Sequence, residues 1–139
     1  MEVSMSAFFK YFEERKSLAY SLIRTFLGFA LFIRGLLFVI DPKTLTNLAG
    51  SEQKFWLYSY VAVGHLIGGF LLGIGFFTRL ASLIQIPILL GAIFIYHLKQ
   101  GLLTSGQSLE ISVLVLFLLT IFFLFGGGEM SIDNRKLKS

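Results

Sequence analysis

Residues 63–80, VGHLIGGFLLGIGFFTRL, decide how this chain is read. The stretch is apolar enough to lie in lipid, yet it carries His65 and five glycines: Gly64, Gly68, Gly69, Gly73 and Gly75. It breaks at Thr78-Arg79, and a second apolar run starts at once. A glycine-rich apolar helix that turns straight into its neighbour has the pattern of a hairpin in a tightly packed membrane bundle.

Outward from this hairpin the pattern continues. Four spans are expected, at about residues 18–40, 55–77, 80–98 and 109–125, each close to the ~20 residues that cross a ~30 Å hydrocarbon core. Asp41-Pro42 ends the first, because proline disfavours helix at the residue before it and lacks the amide to continue. Phe55, Trp56, Tyr58 and Tyr60 open the second as an interfacial aromatic belt. Gly126, Gly127 and Gly128 end the fourth, as glycines past a helix C-terminus do. Ahead of the spans, residues 1–16 mix Phe8, Phe9, Tyr11 and Phe12 with charged side chains, the composition of an amphipathic helix lying in the interface.

Composition agrees. Of 139 residues 55% are hydrophobic and 14% charged, where a soluble domain carries about 25% charged residues. Mean hydropathy is +0.79. One membrane domain over residues 1–139 is expected, with the lipid bilayer as its first partner. The absence of cysteine rules out disulfides and thiolate metal sites made by this chain alone. The net charge of +4 reports topology rather than nucleic-acid binding. An even number of spans puts both termini on one side, with Lys10, Arg15, Lys16, Arg79, Arg135, Lys136 and Lys138. Lys43, Lys54 and Lys99 are on the other. The positive-inside rule then makes the termini cytoplasmic, with Arg79 as the anchor of the hairpin.

Ionisable groups at the bilayer centre cost about 2.5–3.5 kcal/mol each, so they face the bundle interior and pair. In the outer half each span supplies one: Arg34, His65, His97 and Glu110. These are the candidates for a polar binding pocket, with Glu110 paired to Arg34 and a histidine joining them. The alternative is an Arg34 that snorkels to the headgroups and a Glu110 that caps its helix. Arg24 and Gln85 are the inner polar residues. On a helical wheel Gly64, Gly68 and Gly75 form a bare stripe on the second span, and Gly28 and Gly35 extend a stripe with Arg24 on the first. The stripes serve packing within the chain, or alternatively a homodimer.

No catalytic residues are identified, so a non-enzymatic role is expected. His65 and His97 differ too much in depth for one haem iron, and His97 with Glu110 supplies too few ligands for a metal. No phosphate loop or dinucleotide fingerprint is present. A quinone is the one cofactor left open, as a ligand of the outer pocket.

In order and spacing, IRTFLGFALFIRGLLF (23–38), GHLIGGFLLGIGFFTRLAS (64–82), IYHLKQG (95–101), SLEISVLVLFLL (108–119) and GGGEMSID (126–133) resemble the DoxX family of small bacterial membrane proteins. The resemblance covers about residues 22–133. It implies a four-helix bundle in the bacterial inner membrane, with some members tied to quinone-linked oxidase complexes or oxidative-stress assemblies. It also implies recurrent polar positions at Arg24, Arg79, His97, Glu110 and the Ser131–Asp133 end motif. Two positions depart: His65 stands where the family often has an acid, and Arg34 where it commonly has a small or apolar residue. The expected function is a non-catalytic accessory or scaffold subunit of a membrane redox or stress-response complex. The alternative is a protein that binds or transports a quinone, lipid or anion through the outer pocket.

Overall fold

The computed structural model describes residues 2–43, 55–97 and 108–139. The described residues are all-helical. In chain order they form α1 (Glu2–Glu13), α2 (Lys16–Ile40), α3 (Phe55–Ile74), α4 (Thr78–Gly91), α5 (Ser108–Phe125) and α6 (Ile132–Leu137). A π-helical turn, Ala92–His97, continues α4. Most of the expected loops, with Lys54 and Lys99, lies outside the described residues, as do the side chains of Phe55, Tyr96 and His97.

Two helices, Lys16–Ile40 and Trp56–Ile74, are long and apolar enough to cross a membrane. Thr78–Phe94 and Leu109–Phe125 are apolar but shorter. On α2 the buried residues Ser21, Arg24, Leu27, Gly28, Leu31, Gly35 and Phe38 recur every three or four positions, so they share one face. The opposite face is also apolar, with Phe26 78% and Ile40 70% exposed. A helix apolar all round belongs in a large core or in lipid. The main core joins α2, α3, α4 and α5 through Leu27, Leu31, Leu72, Ala81, Leu89, Leu119 and Phe122. Phe38, Tyr58 and Ala62 form a second cluster towards the other end of α2.

The closest pairing is α2 against α3, and glycines set it. A Cβ at Gly28 would strike the backbone of Gly73, one at Gly35 the backbone of Leu66, and one at Gly69 the backbone of Phe32. Gly69 is absent from the stripe expected on the second span. Gly64 and Gly68 from that stripe face α4 instead: their added Cβ atoms would meet the Ile88 side chain at 2.5 Å and that of Gln85 at 3.0 Å. Gly75 lies past the end of α3, and its added Cβ would meet Ser131 and Arg24 rather than a neighbouring helix backbone along the stripe. The wheel gives spacing along one helix and is silent on which neighbour each face meets.

The turn also sits earlier than expected. It occupies Gly75–Phe77 rather than Thr78-Arg79, which already belong to α4. Gly75 has φ 73° and Phe77 φ 47°. The Gly75 amide bonds Leu72 O at 3.2 Å and the Phe76 amide bonds Leu71 O at 2.9 Å. This is the bond pair of a Schellman motif, which a left-handed residue just past the helix produces. Residue 75 must therefore be able to adopt positive φ, and glycine does so without a Cβ clash.

Gly69→Ala drives a methyl into the α2 backbone and is expected to cost about 1–3 kcal/mol, as overpacked cores do. Gly91→Ala, whose Cβ would meet nothing within 4 Å, is expected to be neutral or to stabilise. Thermal unfolding in detergent, followed by circular dichroism, separates the two, and equal melting temperatures would contradict the seam.

Candidate functional site

The densest polar constellation lies at the end of the bundle where α2 begins, α3 turns into α4, and α5 ends. Arg24 is at its centre and is only 1% exposed. Its Nη1 donates to Leu72 O at 2.6 Å and Gly73 O at 2.8 Å, and its Nε donates to Gly127 O at 2.7 Å. The first two are carbonyls of the last turn of α3, among the four that every helix end leaves without an internal partner. The third lies just past the end of α5. A helix C-terminus carries partial negative charge, so one guanidinium answers two of them. Charged hydrogen bonds contribute about 1.5–3 kcal/mol each, so three outweigh the ~2.5–3.5 kcal/mol cost of a buried cation.

The C-terminal tail closes the same end. Gly126 has φ 84° and Gly128 φ 80°, and between them the chain reverses. Tyr20 Oη donates to Gly126 O at 2.6 Å. Ser131 caps α6 by accepting from Asn134 N at 3.1 Å. Asp133 then reaches the start of α4: Oδ1 accepts from Phe77 N at 2.8 Å and Oδ2 from Thr78 N at 2.9 Å. Its own amide donates to Gly75 O at 3.1 Å. A carboxylate at a helix N-terminus is favoured by the dipole and satisfies orphan amides. Here the cap comes from 55 residues away in sequence. Nothing around residue 78 announces it, and only the end motif implied by the family resemblance pointed to Asp133.

A cleft of about 760 Å³ opens beside this knot, with Arg79, Thr78, Asn134 and Lys136 among its walls. It lies at the opposite end from the expected outer pocket. Arg79 is exposed and lies over Gly126, whose added Cβ would stand 3.6 Å from its Nε. Thr78, Ser82 and Gln85 share one face of α4 and are fully buried. Thr78 Oγ1, Ser82 Oγ and both amide atoms of Gln85 have no hydrogen-bond partner among the described residues. Gln85 packs against Gly68.

Of the outer candidates, His65 and Arg34 lie against one Phe38 ring. His65 is 4% exposed, its Nδ1 lies 3.0 Å from Val61 O, and its ring stands edge-on to Phe38 at 5.9 Å. A carbonyl only accepts, so that contact places a proton on Nδ1. Arg34 is exposed, and its guanidinium lies 5.7 Å from the centre of the Phe38 ring. Glu110 is half-buried in the first turn of α5. Among the described residues Arg34 and Glu110 form no ion pair with each other. α2 packs most extensively along α3, and α5 along α4. The His97 side chain lies outside the described residues.

Among known proteins, the family model DoxX matches residues 19–98, more than half of the chain. No curated protein and no solved structure matches.

Arg24→Met keeps the length of the side chain and removes its donors. It is expected to lower stability by about 1–3 kcal/mol for each carbonyl left unpaired. Asp133→Ala removes the α4 cap and is expected to cost ~0.5–2 kcal/mol and to expose the tail to limited proteolysis. Melting curves and a protease time course check both, and unchanged behaviour of either variant contradicts its assigned role.

Proposed function

The chain belongs to the DoxX family, and we propose that it is a four-span protein of the bacterial inner membrane, a non-catalytic accessory or scaffold subunit of a membrane redox or stress-response complex. The observation that carries this reading is the use of Arg24. The most deeply buried charge spends three of its five N–H donors on backbone carbonyls at two helix ends, the use of a group that fixes a shape. His65 likewise bonds its own helix.

Helix lengths support four crossings. The 14 residues of α4 and the six of the π turn together rise up to about 30 Å, and the 18 of α5 about 27 Å. Connectivity supports them too. The start of α2, the α3–α4 turn and the end of α5 meet in one knot, as an even number of antiparallel spans requires. That end carries Arg15, Lys16, Arg79, Arg135 and Lys136, so it faces the cytoplasm by the positive-inside rule. The helix α1, with Phe8 59% and Phe9 63% exposed, lies in the cytoplasmic interface. Apolar side chains all round α2 give lipid or a partner's helices a surface to pack on.

Two measurements test this. The chain has no cysteine, so single cysteines placed at Lys43 and Ser139 report topology directly. An impermeant maleimide is expected to label residue 43 from outside and residue 139 only after the membrane is opened, and labelling both from outside would contradict the orientation. Native mass spectrometry of gently extracted particles is expected to find a stoichiometric protein partner. Particles containing only the 15.6 kDa chain and a small ligand would instead favour the alternative, a quinone-, lipid- or anion-binding protein.

A further inference from the structure

We propose that the cleft beside the Arg24 knot binds the phosphate-bearing headgroup of an anionic glycerophospholipid. At about 760 Å³ the cleft has the size of ligand sites in general. Four charged side chains line it, two of each sign, and the signs are not equivalent. Asp133 has both oxygens on backbone amides of α4, and Glu129 Oε2 accepts from Ser17 Oγ at 2.7 Å. The two acids are therefore already engaged.

The two cations are not. Arg79 has no hydrogen bond or ion pair among the described residues, and its guanidinium presents a planar fork suited to two phosphate oxygens. Lys136 holds its ammonium 4.5 Å from the centre of the Phe76 ring, a contact that orients the charge and leaves its N–H donors available. A third group points to a ligand independently. Thr78 is fully buried at the cleft wall, and its Oγ1 has no partner among the described residues. An unpartnered hydroxyl in the wall of a cleft that also holds two unengaged cations is what an oxyanion would satisfy.

The apolar part of the wall selects a lipid over free phosphate. Phe77, Leu80, Phe125 and Leu137 line the cleft and are each more than half exposed. They form a shelf that continues onto the outer faces of α4 and α5, where acyl chains would lie. That depth rests on the four-span reading above. Basic pockets between helices on the cytoplasmic side are suited to lipid phosphates.

The test is native mass spectrometry of the full chain in detergent, titrated with phosphatidylglycerol, phosphatidylcholine or inorganic phosphate. One phosphatidylglycerol is expected to bind more tightly than the rest. In Arg79→Gln/Lys136→Gln its affinity is expected to fall about tenfold, as loss of two charged contacts implies. Lys138→Gln, beyond the cleft, is expected to leave it unchanged. Thr78→Val conserves shape and is expected to weaken binding with the melting temperature kept. Equal binding by the double variant, or equal binding of phosphatidylcholine, overturns the proposal. Inorganic phosphate binding as tightly as the lipid overturns the lipid assignment. Micelle titration does not depend on orientation, so failed cysteine labelling and failed lipid binding remain separate outcomes.

Discussion

Helix ends buried inside a protein are costly, because their unpaired amides and carbonyls are shut off from water. This chain brings three such ends together and answers them with opposite charges. The Arg24 cation takes carbonyls at the ends of α3 and α5, and the Asp133 carboxylate takes amides at the start of α4. Each charge sits where the local helix dipole favours it. The two do not form an ion pair with one another; they are joined through the backbone they hold.

This arrangement depends on the seam between α2 and α3. Arg24 reaches Leu72 and Gly73 because Gly28, one turn further along its own face, lies directly against Gly73. Side chains at Gly28 or Gly69 would push the helices apart, and bonds of under 3 Å would not survive the shift. The turn at Gly75 is coupled to the same point. An added Cβ there would come within 2.8 Å of Arg24 Nη1 and against Ser131 of the tail. Seam, turn and knot therefore stand or fall together. The four tail residues Gly128–Ser131 lie against the start of α2 through Ser21 and Tyr20.

Much of this was legible in the sequence, and the limits have physical causes. Periodicity and hydropathy place the helices, since α2 begins at residue 16 against an expected 18 and α5 at 108 against 109. Arg24 stands out as an inner polar residue because a buried charge must have partners. Its partners, however, are backbone carbonyls, which every residue has and no motif records. The glycines of residues 63–80 announce close packing without assigning it: Gly69, off the expected stripe, meets the α2 backbone, and Gly75 lies past the end of α3. Asp133 looks like ordinary polar tail until the fold carries it to Phe77 and Thr78. The pairing of Arg34 with Glu110 rests on depth alone, and periodicity is silent on which helices are neighbours.

One buried cation, Arg24, locks the α3–α4 turn, the end of α5 and the tail into a single shape. Hydrogen exchange of the intact chain in detergent tests it most directly, comparing wild type with Arg24→Gln. The account predicts that amides in residues 72–80 and 126–134 exchange at least about tenfold faster in the variant, while the end of α2 near Phe38 is unaffected. Identical protection of those two segments in both proteins would contradict it.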